Sequence, residues 1–487
     1  MTNNIAYQQQ FRPELSTIYG PSDYRDFRNQ LEQIDHLLVS TGIEERFLLK
    51  ALKDGDNFDK KIPFLRKALR VQILLHLTNE NYRSLAFRLA DSELFRWFIG
   101  VTIYSNQKPP AKSSIQRFEH IWPKEDIESF IHELIASVCD GAQSEELLFT
   151  ETPLEIKDVY ADSTCIKANI HYPVDWLLFR DAIRTVIGSI KLIRSQGLRH
   201  RMKSPDDFMK KVNNLTIAMT QASRNRNGKK EGKKIFRRMK KLLCTVEGHA
   251  HRYRSLLEQK WQFTDWSAMQ TNQVLQKITN VTRQIPAIID IAHKRIISEK
   301  KVANAEKILS LYEKDVHVIK RGKMDADVEF GNGFYLAEQK EGLIVDWDII
   351  KGKPCSDTQL LKESTLRIKK NYPLNLIATD RGFNSKNNDK FLRKEMVYNA
   401  TCPRDPEELI VKMADEKFKN AQKRRAQTEA RIGIFKNKFI GHKILRKGFE
   451  NREDKALWSI LTHNLWVVAR IANRNQEARK EYVSLAA

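Results

Sequence analysis

Apolar residues along this chain recur with two different periods, and the switch between them divides it. Early on, YRDFRNQLEQIDHLL has the three-to-four-residue rhythm of a helix, and Ile62, Leu65, Leu69, Ile73 and Leu77 continue it. Leu85, Leu89, Leu94 and Phe98 follow, with Asn79, Asn81, Ser84 and Asp91 supplying cap and turn chemistry. Lys112 to Trp122 opens a further short helix. The rhythm breaks at residues 156–168, IKDVYADSTCIKA, which are β-branched and alternating and predict a strand. Helical patterning returns from about Asp175 to Leu311. Strand character then resumes in GFYLAEQ, GLIVDWDII, LNLIATD and VYNATCP, with helices at STLRIKK, SKNNDKFLRK and from about Glu407 to Lys438. A last amphipathic helix carries Leu457, Ile460, Leu461, Leu465 and Val468 on one side. No internal repeat is seen.

This order predicts an α+β protein in which an all-helical segment precedes a mixed α/β sheet layer, itself interrupted by a long helical block. The expected units are a helical amino-terminal domain over 1–145, a first piece of the sheet domain over 156–174, a helical insert over 175–315, and the rest of the sheet domain over 316–475. A helix-turn-helix fits within the first unit, as does a purely packing or dimerising role.

Composition narrows the partner. The 487 residues include 84 Lys+Arg against 61 Asp+Glu, a net charge of +23. Such an excess favours a polyanion bound through phosphate contacts and counterion release. No stretch approaches the roughly 18 apolar residues of a membrane span, and MTNNIAYQQQFRPEL has no export-signal pattern. A cytoplasmic protein with no membrane partner is expected. The five cysteines (139, 165, 244, 355 and 402) form no CxxC pair and are expected to be small buried residues in a reducing compartment. His171, His317 and His463 lack metal-ligand spacing, and no Walker-type phosphate loop is present, so no nucleotide cofactor is expected.

Three carboxylates carry the candidate chemistry. Asp162 ends the apolar run VYAD, and Asp380 ends NLIATD just before Arg381-Gly382-Phe383. Glu429 lies four residues after Arg425 and seven before Lys436, so one helix face presents all three. Each alone reads as a turn or solvated residue. Together, two aspartates at strand ends and a helical glutamate would hold hard divalent ions, which favour oxygen ligands. A second basic feature, Arg224 to Lys241, has ten basic residues and one acidic one. Arg224, Arg226, Lys229, Lys230, Lys233, Lys234, Arg237 and Arg238 are its candidate phosphate contacts, against the alternative of a plain solvated face. Trp261 and Trp266 nearby read as core residues more than as base-stacking platforms.

On these residues the chain resembles the DDE transposases of bacterial insertion sequences, a less-classified branch of them. The match rests on Asp162 in YADST, Asp380 in ATDRGF, Glu429 and Lys436 in a Glu-x6-Lys spacing, and Arg425 four before the glutamate. NIHYPVD, VEFGNGFYLAEQKEGLIVDW and the helical run 62–122 add to it. The resemblance implies an RNase H-like catalytic core in which Asp162, Asp380 and Glu429 bind two Mg²⁺ ions, with Mn²⁺ as a substitute. It implies cleavage and strand transfer on double-stranded DNA, at terminal inverted repeats and at a target, by a homodimer associated with the bacterial nucleoid. Arg425 and Lys436 would position phosphates. Two departures stand out: Gln422 replaces the tyrosine often found three before the arginine, and 218 residues separate Asp162 from Asp380 while only 49 separate Asp380 from Glu429. A nuclease without strand transfer and an inactive, DNA-binding descendant remain alternatives.

Overall fold

The computed structural model describes residues 20–101, 108–139, 153–323, 326–352, 355–441, 444 and 446–486, with side chains of 321–327 and 476–487 left aside. The MTNNIAYQQQFRPEL segment lies outside the described residues. Seven helices come first: α1 (Ser22–Ser40), α2 (Ile43–Lys50), α3 (Phe58–Thr78), α4 (Tyr82–Asp91), α5 (Glu93–Phe98), α6 (Lys112–Phe118) and α7 (Lys124–Cys139). Asn57, Asn81 and Ser92 accept backbone N–H bonds at the starts of α3, α4 and α5, satisfying donors that a helix start leaves open. Asn79 closes α3 in the left-handed conformation (φ 50°) that asparagine tolerates. From Ala68 to Leu77, α3 is buried on every face, including Arg70, which is neutralised by Glu44 and Asp35.

Strand β1 (Asp158–Lys167) leads into α8 (Asp175–Ser195), α9 (Pro205–Arg224), α10 (Lys229–Lys260), α11 (Ala268–Thr282) and α12 (Ile285–Ala292). These five helices build their own hydrophobic cluster around Ile183, Ile190, Phe236, Leu243 and Ile278, and Trp261 and Trp266 pack against it. Then come β2 (His317–Lys323), β3 (Ala326–Gln339), β4 (Ile344–Ile350), α13 (Asp357–Asn371), β5 (Leu376–Ala378), α14 (Lys386–Lys394), β6 (Tyr398–Asn399), α15 (Pro406–Met413) and α16 (Glu416–Ile434). A π-helical turn, Phe435–Ile440, extends α16, and α17 (Phe449–Ala486) ends the chain. The long α17 packs on α1, α3, α7 and β4, so the first helices and the sheet share one hydrophobic cluster.

The protein is mixed α+β, with one six-stranded sheet of order β2-β3-β1-β5-β6 and β4 also paired to β3. β3 runs antiparallel to β1, β2 and β4, whereas β5 is parallel to both β1 and β6. Two elements differ from expectation. β2 is an additional strand, and β6 is only two residues long where VYNATCP suggested a full strand. The GNG triplet explains itself here. A Cβ on Gly331 would sit 1.9 Å from the Ile166 carbonyl oxygen of β1, and one on Gly333 would sit 2.9 Å from Ile350 Cδ1 of β4. Between them Asn332 donates to the Asp315 and Ile350 carbonyls and accepts from Arg452, whose guanidinium is paired to buried Glu313.

The cysteines depart from expectation. Only Cys165 is buried; Cys244 is exposed because it falls on the solvent face of α10, and the other three are half-buried.

Candidate active site

Asp162 sits inside β1 and not at its end, which corrects its expected place. The sheet explains how a carboxylate is accommodated there. β3 pairs with β1 from Val159 to Lys167, but β5 covers the other edge only from Asp158 to Tyr160. Beyond Tyr160 that edge meets only the isolated Ala168–Ile444 bridge among the described residues. The open edge begins where Asp162 stands.

The parallel register brings the second aspartate to it. Tyr160 pairs with Ala378, so Asp162 and Asp380 each lie two residues past the last matched rung of neighbouring strands. Adjacent strands are about 4.8 Å apart. Asp380 caps the Arg381–Phe383 turn, accepting from the Gly382 N–H at 2.8 Å. Arg404 steadies that turn from outside by donating to the Arg381 and Gly382 carbonyls, both at 3.1 Å.

Helix α16 delivers the third carboxylate. It packs across β1 and β5 and is fastened on two sides. On one, Arg424 bonds Glu338 Oε1 at 3.0 Å and the Gln339 and Lys340 carbonyls, while Thr428 donates to the same Glu338 oxygen at 2.8 Å. The Arg424 guanidinium also lies 4.5 Å from the Tyr160 ring centre. On the other, Gln422 donates its amide to the Thr379 and Ala400 carbonyls and accepts from Arg425 Nε at 3.2 Å. Gln422 therefore ties the helix to the strand end that carries Asp380.

Electrostatics couple the trio. Burial pushes the Asp162 carboxyl up to about 6, and Asp380 and Glu429 push the same way; Arg425 and the Ser163 N–H oppose them. Glu429 is largely exposed and lies 3.6 Å from Arg425 Nη1. That nitrogen is buried without a hydrogen-bond partner. Lys436 donates to Thr164 Oγ1 of β1 at 3.1 Å, two residues beyond Asp162. Among the described residues no three carboxylate, imidazole or thiolate groups converge in metal-ligating geometry. To join the aspartates on one ion, Glu429 would have to turn away from Arg425. The donor set nonetheless suits a hard divalent cation: all its ligand atoms are carboxylate oxygens, and burial first, then Asp380 and Glu429, disfavours the charged form of Asp162 in the absence of a cation. Asp357, at the start of α13, is a fourth carboxylate nearby. A Cβ on Gly382 would lie 2.8 Å from Asp357 Oδ2 and 3.0 Å from Asp380 Oδ1. Nothing in the sequence spacing pointed to Asp357, Thr164, Arg404 or Glu338.

The second basic feature lies on another element. Arg224 and Arg226 are exposed around the turn between α9 and α10. Lys229 and Lys233 pair with Glu299, at 3.3 and 2.8 Å, and Lys234 lies 3.9 Å from Glu231. Lys230, Arg237 and Arg238 are exposed and have no acidic partner among the described residues. His317 bonds the Lys351 carbonyl, His463 is buried edge-on against Phe435 and Phe439, and His171 is exposed. Among the described residues, no helix is long and apolar enough to cross a membrane.

Comparison with protein families, with curated proteins and with solved structures returned no match to this chain.

Proposed function

We propose that this chain is a DDE-type transposase that cuts and joins DNA at a divalent-metal site formed by Asp162, Asp380 and Glu429, within an RNase H-like core. The observation that supports this proposal is the parallel β1–β5 register, which leaves Asp162 and Asp380 each two residues past the last shared rung, with α16, the helix that carries Glu429, packed across both strands. Burial of Asp162, with repulsion from Asp380 and Glu429 added to it, supports metal as a counter-charge. When bound, Mg²⁺ or Mn²⁺, as two ions, would supply Lewis-acid stabilisation of attacking and leaving oxygens.

The chain's own side chains prepare the substrate. Arg425 Nη1, buried and without a hydrogen-bond partner, suits a phosphate oxygen. Lys436, steadied by Thr164, brings a second positive charge to the open edge of β1. In the first step a water oxygen bonds to phosphorus while the 3′-oxygen leaves with a proton, giving a 3′-hydroxyl and a 5′-phosphate. In the second, that hydroxyl attacks a target phosphodiester, forming one P–O bond as one breaks, so no external energy source is needed. The exposed cations of α10 and the amino-terminal helices would hold terminal inverted repeats, in a homodimer that pairs two ends.

The experiment is a joining assay: a duplex carrying the gene's own flanking sequence, a supercoiled target plasmid and Mg²⁺. Covalent attachment of the duplex 3′ end to the plasmid is expected. Cleavage with no joined product would leave a nuclease, and binding with neither product would leave a DNA-binding descendant.

A further inference from the structure

A groove of about 740 Å³ lies between α1, α17, the Phe435–Ile440 turn and the Glu341–Gly342 turn. Arg431, Lys438, Arg470 and Arg474 line it around Trp466. Lys438 Nζ and Arg470 Cζ each lie 4.5 Å from the Trp466 ring. Arg474 is answered by Glu341 at 3.5 Å; Arg431 donates to the Lys340 carbonyl at 3.4 Å and, among the described residues, its carboxylate partner is Glu338 at 3.9 Å, which Arg424 already engages. Lys438 and Arg470 have no carboxylate partner among the described residues. Asp23 and Asp26, on the α1 side, are the remaining acidic lining. Burial, with Arg470 nearby, drives the Lys438 amine down to about 8, and the same neighbour helps hold Arg431 below its ordinary value after burial itself. The lining thus sets four cations against three carboxylates, and Lys438 and Arg470 sit on the side of Trp466 with no carboxylate paired to them among the described residues.

We propose that this groove is a second phosphate-binding site that holds the backbone of a DNA strand running past α16 from the carboxylates. The proposal rests on the DNA chemistry inferred above. Its geometry is simple. Arg431 follows Glu429 by two residues, which turns it to the other flank of the same helix. A strand crossing α16 would travel about 10 Å, one helix width, between the two places. Cations held against an aromatic ring, and already stripped of much of their water, lose less on meeting a phosphate than solvated lysines do. A free phosphate or nucleotide offers the same anionic chemistry and is the other source.

The test labels lysines of the full chain with an amine-acylating reagent near neutral pH and reads each peptide by mass spectrometry. It compares protein alone, protein with a duplex of the gene's flanking DNA, and protein with millimolar inorganic phosphate. Duplex, and not phosphate, is expected to suppress Lys438 labelling. The Lys438→Gln/Arg470→Gln double variant should lower the log–log salt slope of duplex binding by about 1.8, two phosphate contacts' worth. Should that variant fail to fold, the labelling of the wild type still decides. Duplex binding that leaves Lys438 labelling and the slope unchanged would overturn the groove and leave the transposase proposal standing. Equal protection by phosphate would make it a small-anion site and overturn the strand contact. A wild-type chain that binds no duplex would remove both.

Discussion

Replacing Arg424 by methionine should loosen α16 from the sheet and take Glu429 with it. Arg424 is about one-eighth exposed and Glu338 still less, so their pair is sheltered from solvent. The substitution keeps most of the apolar stem over Tyr160 but leaves the Glu338 carboxylate with Thr428 and a distant Arg431. Breaking one side of a buried ion pair costs about 3–5 kcal/mol. The retained Thr428 bond argues for the low end, about 3 kcal/mol, or roughly a 150-fold rise in the opening equilibrium. Hydrogen exchange by mass spectrometry reads this directly, because peptides from α16 report local opening without assuming that so large a chain unfolds in one step. A displacement of about 1 Å can cost a hundredfold in rate, so metal-dependent cleavage should fall at least as steeply. The Arg424→Met/Glu338→Gln double variant should recover part of the loss, since it leaves no buried charge unpaired. Exchange in α16 unchanged within threefold would refute the clamp, and so would a double variant worse than the sum of the singles.

Gly331→Ala should prevent soluble expression or cost more than about 3 kcal/mol, because its Cβ would meet a strand carbonyl at 1.9 Å. Gly188→Ala, in α8 with open space around it, should instead raise the melting temperature slightly by the 0.5–1 kcal/mol or so that alanine gains in a helix. Buried His463, driven down to about 3 chiefly by burial, stays neutral in the folded chain while the unfolded chain takes up a proton below about 6.5. Its contribution is therefore complete above pH 6.5 and fades as pH falls toward 3, by about 2 kcal/mol between pH 7 and 5. His463→Phe should flatten the acid limb of a melting-temperature profile, and an unchanged limb would contradict that assignment. Arg237→Gln/Arg238→Gln should lower the salt slope of DNA binding by about 1.8 without altering the melting temperature. No change in slope would mark α10's basic face as merely solvated.

Periodicity made much of this architecture visible, because helices and strands here bury one face each and their apolar spacing records it. The cap residue Asn81 and the long core helix α3 follow from local chemistry, whereas the cap of α5 is Ser92, one residue beyond the expected Asp91. Spacing along one helix also anticipated the Arg425–Glu429 pair, whereas Lys436, expected on the same face, lies past the end of α16 in the π-helical turn and bonds Thr164. What spacing could not reveal is anything set by strand register. That Asp162 lies mid-strand on an open edge depends on how little of β1 the short β5 covers, a pairing of positions 218 apart in the chain. Glu338 reads as an alternating strand residue until β3 places it opposite Tyr160 and beneath Arg424. Gln422 looked like a lapse from a pattern, yet its amide joins two carbonyls that neither neighbour in sequence could indicate. The groove around Trp466 was equally hidden, since α1, the β3–β4 turn and α17 meet there from opposite ends of the chain.

Cleavage of an end-labelled duplex carrying the gene's flanking DNA, with Mg²⁺ or EDTA, is the most direct test of the carboxylate trio. Asp162→Asn, Asp380→Ala and Glu429→Gln would be run beside the wild type. The expected result is a nick at one defined position that requires Mg²⁺ and disappears in all three variants while duplex binding persists. Cutting that survives EDTA, or that survives any one of the three substitutions, would contradict a shared metal site.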